Sequence, residues 1–314
     1  MQHCFIVNPV AGQAGSKKEE KLAIALAMDK LGLPWEIYVS RGVGDATNFV
    51  NQYCRHHQDE VRFYACGGDG TLNEVVNGAA GFEHVSVASL PWGTGNDFIK
   101  NFSNQKAFWD IGRQALAPAS KIDLLKVNQR FCINICNVGF DAQVALHMAK
   151  FKQMPFVHGS SAYGLSVLYC FFKKTAYAFT IELEDGQYID DKFLLAVMAN
   201  GRFYGGAYEG APRAKVDDGF LDLILVKKLS RRRIPGLINI YKEGRHLESP
   251  LLADVITYKR LRSLTIRSSV ALPISLDGEL ISATELKVEV VPQIMNFVQP
   301  VKERMLSLTM GKDE

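Results

Sequence analysis

The stretch from Arg62 to Ala80, RFYACGGDGTLNEVVNGAA, constrains the fold of this chain more than any other. Arg62 to Cys66 is a short run rich in aromatic and apolar residues that reads as a buried strand, and the turn from Gly67 to Thr71 stops it abruptly. Beyond the turn, Leu72, Val75, Val76, Ala79 and Ala80 recur at the spacing of one helical face. The turn therefore joins the C-terminal end of a strand to the N-terminus of a helix. Open α/β sheets bind ligands there, because unpaired backbone N–H groups and the positive helix end favour phosphate. Gly67, Gly68 and Gly70 remove side chains that would block its approach, and Asp69 sets a carboxylate among them. An acid suits a site where a metal ion accompanies the phosphate, or where a hydroxyl is oriented or deprotonated. The plainer reading is a tight turn with Asp69 as a helix cap.

The flanking sequence repeats this alternation. His3 to Val7 reads as a strand, Lys17 to Leu31 as a helix closed by Gly32, and Trp35 to Val39 as a second strand. Asp45 caps a helix whose apolar face is Ala46, Phe49, Val50, Tyr53 and Cys54, and Val85 to Leu90 is a further strand. Strand and helix alternate over about ninety residues, which calls for a parallel sheet covered on both faces.

The pattern changes near Lys126. Residues 128–136, 177–184, 192–199, 221–227, 263–267 and 285–290 read as strands, several joined by hairpin-type turns. Tyr177, Phe179, Ile181 and Leu183 alternate with Ala178, Thr180, Glu182 and Glu184, as in an antiparallel strand with one wet face. Helices are expected over 141–151, 160–173 and 231–243, and Met295 to Val298 reads as a strand returning to the first domain. The expected division is 1–125 with about 293–314 for the α/β domain, and 126–292 for the β-rich one.

Composition sets limits on function. With 314 residues, 47% hydrophobic and 22% charged, the chain is long enough for two folded domains and is not of disordered type. A net charge of +3 gives no reason to expect nucleic acid as a partner. Met1 leads straight into His3 to Val7 with no room for a leader, so a cytoplasmic location is expected. The longest nearly apolar run, Ala162 to Phe172, falls short of the ~20 residues that span a bilayer. Six cysteines include no C-x-x-C pair. Cys132 and Cys136 share a face of a strand, where small buried residues are a better account than a metal pair. The seven histidines form no constellation.

A second chemical turn, PWGTGNDF at Pro91 to Phe98, follows the strand 85–90. The C-terminal ends of parallel strands share one edge, so Gly67 to Thr71 and Gly93 to Asp97 are expected to face the same crevice. Thr94 offers a hydroxyl to phosphate, Asn96 orients a neighbour, and Asp97 adds a carboxylate that suits Mg²⁺, directly or through water. The competing reading makes Asn96 and Asp97 caps of a helix through Phe98 and Ile99.

Together, NPVAG at Asn8 to Gly12, GGDGTLNEV at Gly67 to Val75, PWGTGNDF and SLDGE at Ser275 to Glu279 resemble the bacterial diacylglycerol kinase catalytic-domain family of soluble lipid kinases. That family is related to sphingosine kinases and more distantly to NAD kinases. The resemblance covers nearly the whole chain in order, and GTGNDF favours the lipid-kinase branch over the NAD kinases. It implies a Rossmann-like N-terminal α/β domain of NAD-kinase and diacylglycerol-kinase type, ATP in the cleft, and a C-terminal antiparallel β-sandwich. It places the ATP phosphates against Gly67, Gly68, Asp69, Gly70, Thr71, Leu72, Asn73 and Thr94, with Asn96 in the second turn. Asn8 lies near the nucleotide, and Ser40 stands where the family commonly has a Thr, keeping the hydroxyl. Glu279 falls on the position of the proton acceptor, whereas Asp277-Gly278 reads locally as an ordinary hairpin turn. Asp217-Asp218-Gly219 also reads as a turn; the resemblance places a Mg²⁺ there, held by Asp218 and the carbonyls of Lys215 and Phe220.

Phosphoryl transfer asks a protein for positioning and charge neutralisation. Asp69 and Glu279 compete for the role of base; Glu279 is favoured, with Asp69 ordering phosphate and metal. Ala162 to Phe172, followed by Lys173-Lys174, suits either an acyl-chain groove or bilayer surface, or a core helix. KKLSRRR, from Lys227 to Arg233, suits either anionic headgroups or a solvated loop. The expected activity is an ATP- and Mg²⁺-dependent lipid kinase, most simply converting diacylglycerol to phosphatidic acid at the inner membrane surface through peripheral association. The alternatives are a soluble NAD-kinase-like phosphotransferase and a nucleotide-binding regulator without turnover. A homodimer is left open.

Overall fold

The computed structural model describes residues 1–11, 17–139, 142, 176–206, 208–230 and 233–300. The chain divides into two compact units, Met1–Asp123 with Pro292–Glu314, and Leu124–Val291.

The first unit contains β1 (Gln2–Val7), α1 (Lys17–Leu31), β2 (Trp35–Val39), α2 (Asp45–His56), β3 (Val61–Gly67), α3 (Asp69–Ala79), β4 (Val85–Pro91) and α4 (Ile111–Leu116). Its strands are parallel in the order β2-β1-β3-β4, and Asn296 and Phe297 add a further parallel pairing to β4. Every residue of β3 and β4 is buried, as a sheet covered on both faces requires. The order reverses between β1 and β3, which makes the C-terminal ends of those two strands the topological switch point. Phe5 stacks on Tyr64 with ring centroids 4.1 Å apart, and Ile24, Met28, Ile111 and Ala115 pack over that face.

The second unit begins within β5 (Ala119–Val127) and continues through β6 (Arg130–Cys132), β7 (Ile135–Gly139), β8 (Tyr177–Leu183), β9 (Tyr188–Ala199), β10 (Leu221–Lys227), α5 (Ile234–Lys242), β11 (Ile256–Leu261), β12 (Ser263–Leu276) and β13 (Glu279–Val298). Strands β11-β10-β9-β7-β12-β13 lie antiparallel in that order, and β8 pairs with both β9 and β12. Alternation divides them between two cores. Leu221, Leu223 and Leu225 of β10 enter one, while Ile224 and Val226 enter the other, which includes residues of α5.

Several expectations need revision. The single strand expected over 128–136 breaks into β6 and β7, because Ile133, Asn134 and Ile135 give their N–H groups to the Asp277 carboxylate. Strands β5 and β11 are additional, and β12 and β13 run far beyond the expected 263–267 and 285–290. The helices expected over 141–151 and 160–173, and with them Ala162 to Phe172, lie outside the described residues.

Candidate functional site

In the first unit three loops meet beyond the C-terminal ends of β1, β3 and β4. The backbone N–H of Asn8 donates to Cys66 O at 3.1 Å, prolonging the β1–β3 ladder by one rung, and its Nδ2 donates to Thr71 Oγ1 at 3.1 Å. The N–H of Gly93 likewise donates to Gly67 O at 3.1 Å. Ser40 follows β2; its N–H reaches Val7 O at 3.0 Å and its hydroxyl lies 3.4 Å from the same oxygen. The structure thus brings Asn8, Ser40, Gly67, Thr71 and Gly93 to one sheet edge.

The glycines serve the meeting of the loops as much as any ligand. A Cβ on Gly93 would lie 2.3 Å from Gly68 Cα, and one on Gly67 would lie 2.2 Å from Thr71 Oγ1. A Cβ on Gly70 would meet no protein atom within 4 Å, so packing does not demand a glycine there, unlike at Gly67. Gly70 and Thr94 are exposed. Leu72 and Asn73 are 2% exposed, and Leu72 N–H is taken by Gly68 O, so both side chains are buried behind the turn. Asn96 adopts φ 49°, a conformation Asn tolerates, and its Nδ2 donates to Pro91 O and Gly93 O at 2.9 and 2.8 Å. Its work is to shape the second turn.

Asp69 is not the cap of its own helix. The residue preceding α3 is Gly68, and the Asp69 Oδ1 oxygen accepts from the N–H groups of Asp97 and Phe98 at 2.6 and 3.2 Å, capping the 3₁₀ turn Phe98–Asn101. Asp97 makes no side-chain cap; its Oδ1 pairs with Lys100 Nζ at 2.6 Å. Both second oxygens point towards Gly95: a Cβ there would lie 2.9 Å from Asp69 Oδ2 and 3.6 Å from Asp97 Oδ2. That cradle, free of side chain at Gly95, suits a divalent cation with oxygen ligands.

The sequence reading overlooks Glu74. Its carboxylate accepts from Gly44 and Ala46 N–H at 3.0 and 3.2 Å, capping α2 from α3. Nothing in local spacing announces a cap supplied from another helix.

In the second unit, Glu279 is the first residue of β13 and pairs with Leu276 across the two-residue turn Asp277-Gly278. The turn has the positive φ values, 45° and 92°, of a tight hairpin. It is more than an ordinary turn. Asp277 Oδ1 accepts from Asn134 and Ile135 N–H, each at 3.0 Å, and Oδ2 from Ile133 N–H at 2.8 Å. Cys132 Sγ adds a contact to Oδ1 at 3.2 Å; burial first, then the Asp277 charge, pushes that thiol far up, so it stays protonated and donates. The Cys136 thiol is also pushed up, first by burial and then by the Asp277 charge. Glu279 itself is ion-paired with Arg130.

Asp218 Oδ2 pairs with Arg260 Nη2 at 2.6 Å and Oδ1 accepts Phe220 N–H at 3.2 Å, while the Arg260 guanidinium lies 4.6 Å from the Phe220 ring centroid. A cation held by Asp218 and the Lys215 and Phe220 carbonyls competes with Arg260. No cluster of three or more His, Cys, Asp or Glu suited to a metal occurs among the described residues. Of the basic run 227–233, Lys227 pairs with Asp191 at 3.0 Å and Arg233 with Asp254 at 3.0 Å, while Arg231 and Arg232 lie outside the described residues. No helix among the described residues is long and apolar enough to cross a membrane.

Residues 2–127 match the model of the diacylglycerol kinase catalytic domain, and residues 134–299 that of the YegS C-terminal NAD kinase beta sandwich-like domain. A diacylglycerol kinase of Staphylococcus carnosus is 29% identical over 279 residues, covering 88% of this chain and 87% of that protein. One from Staphylococcus aureus is 28% identical, covering 88% and 85%. A diacylglycerol kinase structure from Bacillus anthracis superposes with TM-score 0.66 at 20% identity, covering 95% of this chain and 96% of that one. An NAD kinase from Archaeoglobus fulgidus, solved with ATP, superposes with TM-score 0.51 at 11% identity over 99% and 98% of the two chains. These likenesses establish the α/β domain and the β-sandwich-like domain as the fold.

Proposed function

The chain belongs to the diacylglycerol kinase family of catalytic domain plus NAD kinase-like β-sandwich, a family of lipid kinases that phosphorylate an alcohol, and from that premise we propose that it transfers the γ-phosphoryl group of ATP to diacylglycerol. The observation that carries the donor half is the contact of two glycine turns, Gly67 to Thr71 and Gly93 to Asp97, beyond the C-terminal ends of β3 and β4 and beside the β1/β3 switch point.

The first-turn N–H groups of α3 lack intrahelical acceptors and present the positive helix end to phosphate oxygens. Gly70 lets those oxygens approach, Thr94 adds a hydroxyl, and Asn8 fixes Thr71 through its 3.1 Å bond. Mg²⁺, when bound, neutralises charge on the phosphates, and the Asp69 and Asp97 carboxylates would hold it. In the transfer, the acceptor oxygen bonds to the γ-phosphorus, the bond from phosphorus to the ADP oxygen breaks, and the hydroxyl proton passes to Glu279. The reading makes Glu279 the proton acceptor because Asp69 Oδ1 already takes two backbone N–H groups and so serves to join the turns. The expected product is phosphatidic acid, made where the chain associates peripherally with the inner membrane surface.

The test is incubation of the full chain with labelled ATP and Mg²⁺ against diacylglycerol, monoacylglycerol, sphingosine, undecaprenol and NAD. Label in the diacylglycerol product alone supports the proposal. Label in NAD alone replaces it with the soluble phosphotransferase reading, and ATP binding without transfer to any hydroxyl replaces it with a regulator.

A further inference from the structure

The hairpin that carries Glu279 is fastened at two points to one short segment, Arg130 to Ile135. The first is the Asp277 carboxylate, which takes three successive backbone N–H groups, of Ile133, Asn134 and Ile135, while Asp277 N–H returns to Ile135 O at 3.1 Å. The second is Arg130 of β6, whose Nη2 contacts Glu279 Oε2. A two-residue turn between long strands needs neither fastening, since the φ values of Asp277 and Gly278 already close it. What the fastenings add is orientation. The three-amide bond fixes the turn against the β6–β7 segment and thereby fixes where Arg130 stands relative to Glu279. A guanidinium N–H is a directional donor on a rigid planar group, so the oxygen it holds is fixed in position and the carboxylate's other oxygen is left for a different partner. With Oε2 on Arg130, Oε1 is the oxygen presented for a proton.

We propose that Arg130 is the positioning residue of the reaction: it holds Glu279 Oε2 so that Oε1 faces the acceptor hydroxyl, with Asp277 keeping the two in register. This rests on the reading of the chain as a kinase in which Glu279 accepts the proton. Both partners are partly open to solvent, with side chains 41% and 28% exposed, so the pair contributes little to folding and its removal tests positioning rather than stability.

The experiment uses the full chain with Arg130→Gln, Arg130→Lys and Glu279→Gln, measuring kcat, KM for ATP and KM for diacylglycerol in mixed micelles, together with Tm. Arg130→Gln is expected to lower kcat by about 10- to 100-fold with KM for ATP held within about twofold. Tm stays at the wild-type value. Arg130→Lys recovers part of the loss, because an ammonium can still hold one carboxylate oxygen but lacks the guanidinium's rigid, fixed donor directions. Wild-type kcat in Arg130→Gln, beside an inactive Glu279→Gln, overturns the positioning role and leaves the kinase reading intact. A loss confined to KM for ATP, or one that follows a fall in Tm and is not relieved by Lys, also overturns it. Full turnover in Glu279→Gln removes the premise and the proposal with it.

Discussion

Asp69 Oδ1 accepts the backbone N–H of Asp97 at 2.6 Å, so the acid of one glycine turn closes the start of the other. The same oxygen takes Phe98 N–H at 3.2 Å. Asp69→Ala deletes both bonds, and hydrogen bonds to a charged group contribute about 1.5–3 kcal/mol each, less where solvent competes. A net loss near 2 kcal/mol is expected, ~2 being the order for a partly buried acceptor. Asp69→Asn keeps an oxygen in place and is expected to melt close to wild type while losing turnover. Urea unfolding of the two variants separates the structural bond from the charge; equal destabilisation of both would show that the charge, not the oxygen, joins the turns.

The glycines separate in the same way. At Gly93 a Cβ meets the Gly68 backbone at 2.3 Å, and neither chain segment has a flexible side chain that gives way. Gly93→Ala is expected to cost about 1–3 kcal/mol, the usual range for overpacking, and to weaken ATP binding by moving the turns apart. Gly70→Ala meets no protein atom and sits in the first turn of a helix, where alanine is preferred to glycine by up to about 1 kcal/mol. It is expected to fold at least as well as wild type, with a loss confined to ATP affinity in calorimetric titration.

How far the sequence could be read follows from where each feature draws its signal. The first unit is legible because its strands are predominantly apolar and bounded by turn residues and its helices keep a helical period, as in β3 and α2. The long strands β12 and β13 are legible only where apolar residues cluster; Glu285, Lys287 and Glu289 on the wet face of β13 break the run without breaking the strand. Asp123 hides β5, since a fully buried acid that accepts Gln293 N–H at 2.8 Å looks in sequence like a surface residue. Within the site, glycine spacing announces both turns. It does not announce that Gly67 and Gly93 are required by protein atoms, nor that Arg130 meets Glu279 across 149 residues of sequence. Those facts belong to tertiary contact and have no local pattern.

His3 gives the first unit a pH dependence. It is fully buried, with Nδ1 2.7 Å from the Tyr64 hydroxyl, and no group among the described residues bonds its Nε2. Burial, and then the Arg62 guanidinium and the amino terminus, lower its pKa from 6.5 to about 4. The folded pKa lies below the unfolded one, so the neutral ring's contribution is complete above 6.5 and is lost as pH falls towards 4. Between about pH 7.5 and pH 5 the folded state should lose about 1–2 kcal/mol through this residue. His3→Asn should flatten the stability curve over that interval in urea unfolding; an unchanged slope would place the acid sensitivity elsewhere.

The most direct test of the central claim is transfer of labelled phosphate from ATP to diacylglycerol in mixed micelles with Mg²⁺, comparing wild type with Glu279→Gln. Wild type is expected to form labelled phosphatidic acid. Glu279→Gln should lose about 10²- to 10⁴-fold in kcat, the usual contribution of a general base, while binding ATP with unchanged affinity. No transfer to diacylglycerol by the wild-type chain, or turnover near wild type in Glu279→Gln, would contradict the account.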